Sequence, residues 1–311
     1  MALQFTVLAS GSAGNASLLA AGGFRLLLDA GLGPRQLASR LAKAGTSWPQ
    51  VQAVLLTHTH SDHWNDRTFT YLYRLRVPLY CHAEHHPMLS AYSPAFARLR
   101  ADQLVRTYEA GQDLELAPTL RCRPLPLRHD GAMTCGFRFE GPADFFGQPC
   151  ALGYAADLGC WGQELAQALG DVDLLALEFN HDVILEETSG RSPALIFRVL
   201  GDRGHLSNTQ AAGLLREVLK RSQPGRLRHL VQLHLSRQCN RPAIAVDAAR
   251  VVLRELNADL AIHTARQDRV GPSLTVGNGA AGLRRPVYRR PARPAVVPSF
   301  LQPLLWDVIA S

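Results

Sequence analysis

Thr57-His58-Thr59-His60-Ser61-Asp62-His63 follows directly on Val51–Leu56, a mainly apolar run that reads as a strand buried on both faces. His58 and His60 are two residues apart. In extended chain they project to one side, about 6–7 Å apart, close enough to share one metal ion. A turn after them brings Asp62 and His63 into the same pocket from another direction, where they can hold a second ion. Imidazole suits zinc, and a His/Asp set without thiolate also admits manganese or iron. Three histidines and an aspartate within six residues, at the end of a hydrophobic strand, are a specific metal signal.

The surrounding pattern gives this motif a scaffold. Phe5–Ser10, Ala16–Ala21 and Arg25–Asp29 read as three strands whose connections are too short for crossovers, which predicts an antiparallel meander. Helical spacing follows Pro34 and returns over 68–76, 94–103, 161–169, 193–200, 208–221 and 243–256. Strands are expected at 78–81, repeatedly between 104 and 154, and at 172–179, 230–235 and 260–264. Strand-rich stretches thus alternate twice with helix-bearing ones. The architecture that suits this is α/β, a four-layer αββα sandwich of two mixed sheets flanked by helices. Residues 1–276 are expected to form this domain, and 277–311 an Arg/Pro-rich extension outside it.

Composition narrows the class. The 311 residues are 47% hydrophobic and 19% charged, which excludes wholesale disorder. No apolar run approaches the roughly 20 residues of a membrane span, and no secretory signal is read at the start, so a cytoplasmic protein without a membrane partner is expected. The six cysteines are scattered without a CxxC pair and read as reduced thiols. Of the net charge of +7, the stretch from Arg284 onward supplies five arginines against Asp307. That bias is compatible with a polyanionic substrate. The apolar piece 300–309 leaves a homo-oligomer open.

The run His58-Thr59-His60-Ser61-Asp62-His63 resembles the HxHxDH signature of the metallo-β-lactamase superfamily. The resemblance extends along the chain from Phe5 to about Gln267. His129, before Cys135-Gly136-Phe137, is similar to the third-motif histidine. Asp157, in Ala155-Ala156-Asp157-Leu158-Gly159, is similar to the carboxylate that bridges both metals. His234, in Leu233-His234-Leu235-Ser236, is similar to the last motif. Singly, a strand-end histidine or an aspartate before glycine is an ordinary structural residue. Together with the first motif they fit a binuclear site, and the resemblance implies the metal set His58, His60, Asp62, His63, His129, Asp157 and His234. His82, His85, His86, His229 and His263 are read as structural.

Within the superfamily, Ser10-Gly11-Ser12-Ala13-Gly14-Asn15, Glu178-Phe179-Asn180-His181-Asp182, Gly204-His205-Leu206-Ser207-Asn208 and His234-Leu235-Ser236 resemble segments of the YycJ/WalJ-like branch and, more distantly, ribonuclease Z enzymes. That parallel implies that Glu178 orients His205 and that His205 is the general acid. Two divalent ions, zinc first and manganese second, would hold a water between them and lower its pKa toward neutrality, with Asp62 both ligand and proton acceptor. The glycine-containing turn suggests Ser12, Gly14 and Asn15 as phosphate-binding residues. The expected activity is a binuclear phosphodiesterase or nuclease, including action on DNA ends. The alternatives are a hydrolase of a cyclic phosphodiester, thiolester or lactone, or a non-catalytic metal- and nucleic-acid-binding module. A groove lined by Arg98, Arg100, Arg123, Arg128 and Arg237 would favour nucleic acid over a small molecule.

Overall fold

The opening meander consists of β1 (Leu3–Ala9), β2 (Ala16–Ala21) and β3 (Phe24–Leu28), paired antiparallel in sequence order. The chain then changes mode. β4 (Ala53–Leu55), β5 (Leu79–His82) and β6 (Val105–Tyr108) add in parallel, each beside the last. Parallel neighbours need crossovers, and these carry α1 (Pro34–Lys43), α2 (Asp66–Leu75), α3 (His86–Tyr92) and α4 (Pro94–Ala101).

The second half repeats the plan. β7 (Leu114–Ala117), β8 (Leu120–Leu127), β9 (Thr134–Ala143) and β10 (Pro149–Ala155) form an antiparallel ladder. β11 (Leu174–Glu178), β12 (His229–Leu233) and β13 (Ala261–Thr264) extend it in parallel. Their crossovers carry α5 (Gln163–Ala168), α6 (Val183–Glu187), α7 (Pro193–Leu200), α8 (Asn208–Arg221) and α9 (Pro242–Glu255). β14 (Leu274–Val276) pairs antiparallel with β1, giving two seven-stranded mixed sheets, β14-β1-β2-β3-β4-β5-β6 and β13-β12-β11-β10-β9-β8-β7. This computed structural model describes residues 2–143 and 149–277, so the extension expected over 277–311 falls, beyond Gly277, outside the described residues.

Packing follows the alternation of side chains. One face of each sheet meets the other: Phe5, Leu19, Leu26 and Leu28 lie against Phe137, Phe139, Leu152 and Tyr154. On the outer face of the first sheet, Leu27 and Val54 meet Leu37 and Leu41 of α1, Phe69 of α2 and Phe96 of α4. On the outer face of the second, Leu175, Leu177 and Leu230 meet Leu214, Leu215 and Val218 of α8 and Val252 of α9. The central strands are therefore buried on both faces, which explains their nearly unbroken apolar sequences. Each such fully buried side chain contributes roughly 1.5–3 kcal/mol.

The αββα expectation is the observed fold. The strand read over 51–56 is confined to Ala53–Leu55, because Trp48–Gln50 turns as a short 3-10 segment with a Ser47/Gln50 capping box. α3, α6 and β14 were not anticipated; they span seven, five and three residues, too few for a period to show. The topology matters for function in one respect. β3, β4, β8, β10, β11 and β12 all release the chain at their carboxyl ends, where α/β sheets gather ligands.

Candidate metal centre

Each of those strand ends delivers side chains to one place. His60 Nδ1 lies 3.1 Å from His58 Nε2 and 3.2 Å from His129 Nε2. Beside this trio, Asp62 Oδ2 lies 3.3 Å from His234 Nε2 and 3.5 Å from His63 Nε2. Asp157 joins the two sets: its Oδ2 is 3.1 Å from His63 Nε2, and its Oδ1 is 3.4 Å from His234 Nδ1. The potential ligand atoms form overlapping groups, His58/His60/His129, His58/His63/Asp157 and Asp62/His63/His234, each within 4.8 Å. The structure brings all seven expected metal-site residues together.

The imidazoles are held from behind. His58 Nδ1 contacts Thr57 Oγ1 at 3.0 Å, His63 Nδ1 donates to Asp29 Oδ2 at 2.7 Å, and His129 Nδ1 donates to the Gly204 carbonyl at 2.8 Å. Each contact fixes the ring and leaves Nε2 for the centre, the usual supporting arrangement for metal-binding histidines. Asp29 is fully buried and also accepts from the Thr57 amide at 2.8 Å. Its role was not read from the sequence, since it precedes His63 by 34 positions. Asp29, Asp157 and His234 all have left-handed backbones, φ 60°, 61° and 53°. Non-glycine residues in that region are uncommon and cluster where structure holds them for function.

The charges fit a cation. Burial, with repulsion from neighbouring imidazoles, holds His58, His60 and His129 below the ordinary histidine range, so they are neutral donors with a free lone pair. Burial also works against charge on His63 and His234. There the carboxylates outweigh it, Asp29, Asp157 and Asp62 at His63 and Asp157 with Asp62 and Glu178 at His234, and both are raised. Burial raises Asp62 and Asp157 too, but His63 and His234 hold both below the usual carboxylate range. Asp157 Oδ2 is buried, and among the described residues its contact with His63 Nε2 at 3.1 Å falls outside hydrogen-bond geometry. A buried carboxylate oxygen so placed is costly unless a cation meets it. The N/O donor set without thiolate fits a divalent metal.

A second pair stands beside the centre. His205 Nδ1 donates to Glu178 Oε1 at 2.8 Å, and Glu178 Oε2 accepts from the amides of Leu158 and Leu206 at 3.1 and 3.2 Å. Burial raises the fully buried Glu178, but His205 and His234 outweigh it and hold it at about 2, an ionised carboxylate. His205 sits two residues before Ser207, which caps α8 through a reciprocal capping box with Gln210. Its ring stacks on His234 with centroids 5.2 Å apart and lies 5.1 Å from the His129 ring. His181 is buried, with Nδ1 unpartnered among the described residues.

The expected phosphate turn behaves differently. The amides of Gly11, Ala13, Gly14 and Asn15 already donate to Asn15 Oδ1, Gln267 Oε1, Gly11 O and Asp62 O. Ser12 is exposed, whereas Gly14 and Asn15 are buried. Gly14 adopts φ 138° with Leu32 2.6 Å from where a Cβ would stand, so it serves the turn itself. Asn15 Nδ2 donates to Asp62 Oδ2 at 2.9 Å and contacts His63 Nε2 at 3.0 Å. The turn thus braces the metal motif, and four of its amides, those of Gly11, Ala13, Gly14 and Asn15, are not free for a phosphate. Nor do the five arginines line one groove: Arg237 and Arg100 border different cavities, and Arg123 pairs with Asp113. Asp130, unread in the sequence, comes within 3.4 Å of His60 and 3.3 Å of His129 and pairs with Arg198.

Comparison with known proteins agrees with this geometry. The profile of the Beta-lactamase superfamily domain matches residues 24–227. The chain is 27% identical over 237 residues to "Exodeoxyribonuclease WalJ" of Streptococcus pneumoniae, covering 76% of this chain and 83% of that one. It is 26% identical over 256 residues to "Exodeoxyribonuclease YycJ" of Bacillus anthracis, covering 82% and 90%. Among solved structures, Zn(2+)-bound PqqB from Methylobacterium extorquens superposes with a TM-score of 0.60 at 17% identity, over 87% of this chain and 99% of that one. Among the described residues, no helix is long and apolar enough to cross a membrane.

Proposed function

Because the chain belongs to the beta-lactamase superfamily, we propose that it is a metal-dependent phosphodiesterase of the nuclease kind, with DNA as substrate. Two divalent ions, zinc in the first place, would be held by His58, His60, Asp62, His63, His129, Asp157 and His234. When bound, the metal supplies a water activated near neutral pH and neutralises charge on the phosphoryl oxygens.

The chain's own residues do the rest. Asp29, Thr57, Gly204 and Asn15 fix the donors so that little reorganisation is needed. Asp62, ionised and bonded to Asn15, is the proton acceptor at the attacking side. Glu178 fixes the tautomer and orientation of His205, leaving Nε2 to protonate the departing oxygen.

The observation that carries this reading is the His205–Glu178 pair beside the metal donors. An alkoxide leaving from a phosphodiester needs a proton near neutral pH, whereas the thiolate of a thiolester needs it far less. The printed names of the WalJ and YycJ relatives support DNA. All six cysteines are free thiols, which supports a reducing, cytoplasmic setting.

The test is an assay of the purified protein on bis-p-nitrophenyl phosphate and on labelled single- and double-stranded DNA and RNA, before and after chelation. Chelation should abolish diester hydrolysis, return of zinc or manganese should restore it, and DNA should be degraded. Turnover confined to thiolesters or lactones would refute the reading.

A further inference from the structure

One residue beyond His234 the chain enters a second concavity. Ser236 and Arg237 form one wall of a cavity of about 320 Å³, and Arg241, Arg266 and Asp268 border it from the other sides. Three arginines therefore face one aspartate. Arg241 is tied down, donating to the carbonyls of Gln238 and Asn240 at 3.0 and 2.7 Å. Arg237 and Arg266 are exposed, and among the described residues their guanidiniums make no hydrogen bond or ion pair. Arg198, beside the centre, is by contrast spent on Asp130. Like charges gathered without partners repel one another and contribute nothing to the fold.

The groove and the metal centre share their supports. Ser10 lines the groove, its Oγ accepts from the His234 amide at 2.8 Å, and its own amide donates to the Arg266 carbonyl at 3.3 Å. Gln267 clamps the opening turn, accepting from Ala13 at 2.9 Å and donating to Gly14 at 2.7 Å. That same turn carries Asn15, which holds Asp62. Arg266 and Arg237 are thus positioned by the segments that position Asp62 and His234.

We infer that this groove seats the sugar-phosphate backbone of a polynucleotide beside the scissile phosphodiester, with Arg237 and Arg266 each meeting a phosphate. The inference rests on the nuclease reading and adds where the strand's neighbouring phosphates are held. A compact diester such as bis-p-nitrophenyl phosphate occupies the metal centre without reaching both arginines.

The experiment compares wild type with Arg237→Ala/Arg266→Ala and Arg237→Lys/Arg266→Lys in the metal-loaded protein. One readout is affinity for a fluorescent, phosphorothioate-linked single-stranded DNA over a range of salt. The other is kcat/KM on cleavable DNA, on RNA of the same sequence, and on bis-p-nitrophenyl phosphate. The alanine pair should bind the DNA at least tenfold more weakly. The slope of log affinity against log salt should flatten by about 1.4, at about 0.7 per phosphate contact. Its loss of kcat/KM on DNA should exceed its loss on the small diester by tenfold or more, and the lysine pair should recover most of the salt slope. A larger loss on RNA than on DNA would keep the groove and change the strand it takes. Wild-type affinity and slope in the alanine pair, or equal losses on strand and small diester, would overturn the inference. If wild type cleaves only the small diester and does not bind DNA, the groove assignment falls and the phosphodiesterase stands. If it binds DNA through these arginines yet cleaves neither diester, the catalytic reading falls and the groove stands.

Discussion

Asn15 holds Asp62 through main chain and side chain alike: its main-chain amide donates to the Asp62 carbonyl at 2.7 Å, and its side-chain amide donates to Asp62 Oδ2 at 2.9 Å. A turn at the start of the chain thereby fixes a side chain of the metal motif 47 residues later. Asn15→Ala removes the second bond and leaves buried polar atoms unmatched. It should cost about 1–3 kcal/mol of stability and weaken metal binding by about 10–100-fold. Chelator competition and thermal melts measure the two effects separately. Metal affinity equal to wild type would show that Asn15 serves only the turn.

His205 and Glu178 make a prediction that depends on the leaving group. His205→Ala should lower kcat on DNA by roughly 100-fold or more while metal content stays at the wild-type level. On a diester that releases p-nitrophenolate, which leaves without a proton, the loss should be far smaller. Glu178→Gln should move in the same direction. Equal losses on both kinds of diester would assign the pair a structural role instead.

Gly31 sets a steric limit on the motif. A Cβ there would lie 1.8 Å from the Asp62 carbonyl oxygen and 2.9 Å from the Asn15 amide nitrogen. Neither atom can retreat, because the two are bonded to each other. Gly31→Ala should therefore cost about 1–3 kcal/mol through overpacking and lower metal occupancy, read by denaturant titration and metal analysis. Gly33, where a Cβ meets nothing within 4 Å, is the control, and Gly33→Ala should leave occupancy intact.

The thiols divide by burial. Cys81 and Cys135 are pushed up to about 12 by burial, and Cys122, Cys150 and Cys239 are buried as well. Cys160 alone is partly accessible. A thiol needs its thiolate to react. One thiol per folded chain should react quickly with a disulfide reagent near pH 8, and all six after denaturation. Rapid modification of several thiols in the folded protein would contradict this packing.

Much of the centre was legible because its chemistry is dense in sequence. His58, His60, Asp62 and His63 fall within six residues at a strand end, and His129, Asp157 and His234 were added by their resemblance to the superfamily's later motifs. The fold was legible because its central strands are buried on both faces and its connections are either too short or long enough for crossovers. Asp29, Asn15 and Asp130 were not legible in their roles. Asp29 meets His63 only because β3 and β4 lie side by side in parallel, Leu28 opposite Leu55. Asn15 meets Asp62 only because the opening turn folds under the motif. A glycine-rich turn reads as a phosphate cradle until four of its amides, those of Gly11, Ala13, Gly14 and Asn15, are seen to be spent. The arginine groove joins residues about 30 positions apart, and arginines scattered along a sequence carry no sign of which will be paired.

The central claim is that donors from four strand ends form one metal centre, with Asp157 common to both halves. Metal content per chain, measured by mass spectrometry on purified wild type and on Asp157→Ala, tests it most directly. The account predicts about two divalent ions in wild type, one or fewer in the variant, and near-complete loss of diester hydrolysis with the second ion. Wild type that holds no metal and yet hydrolyses diesters undiminished after exhaustive chelation would contradict it.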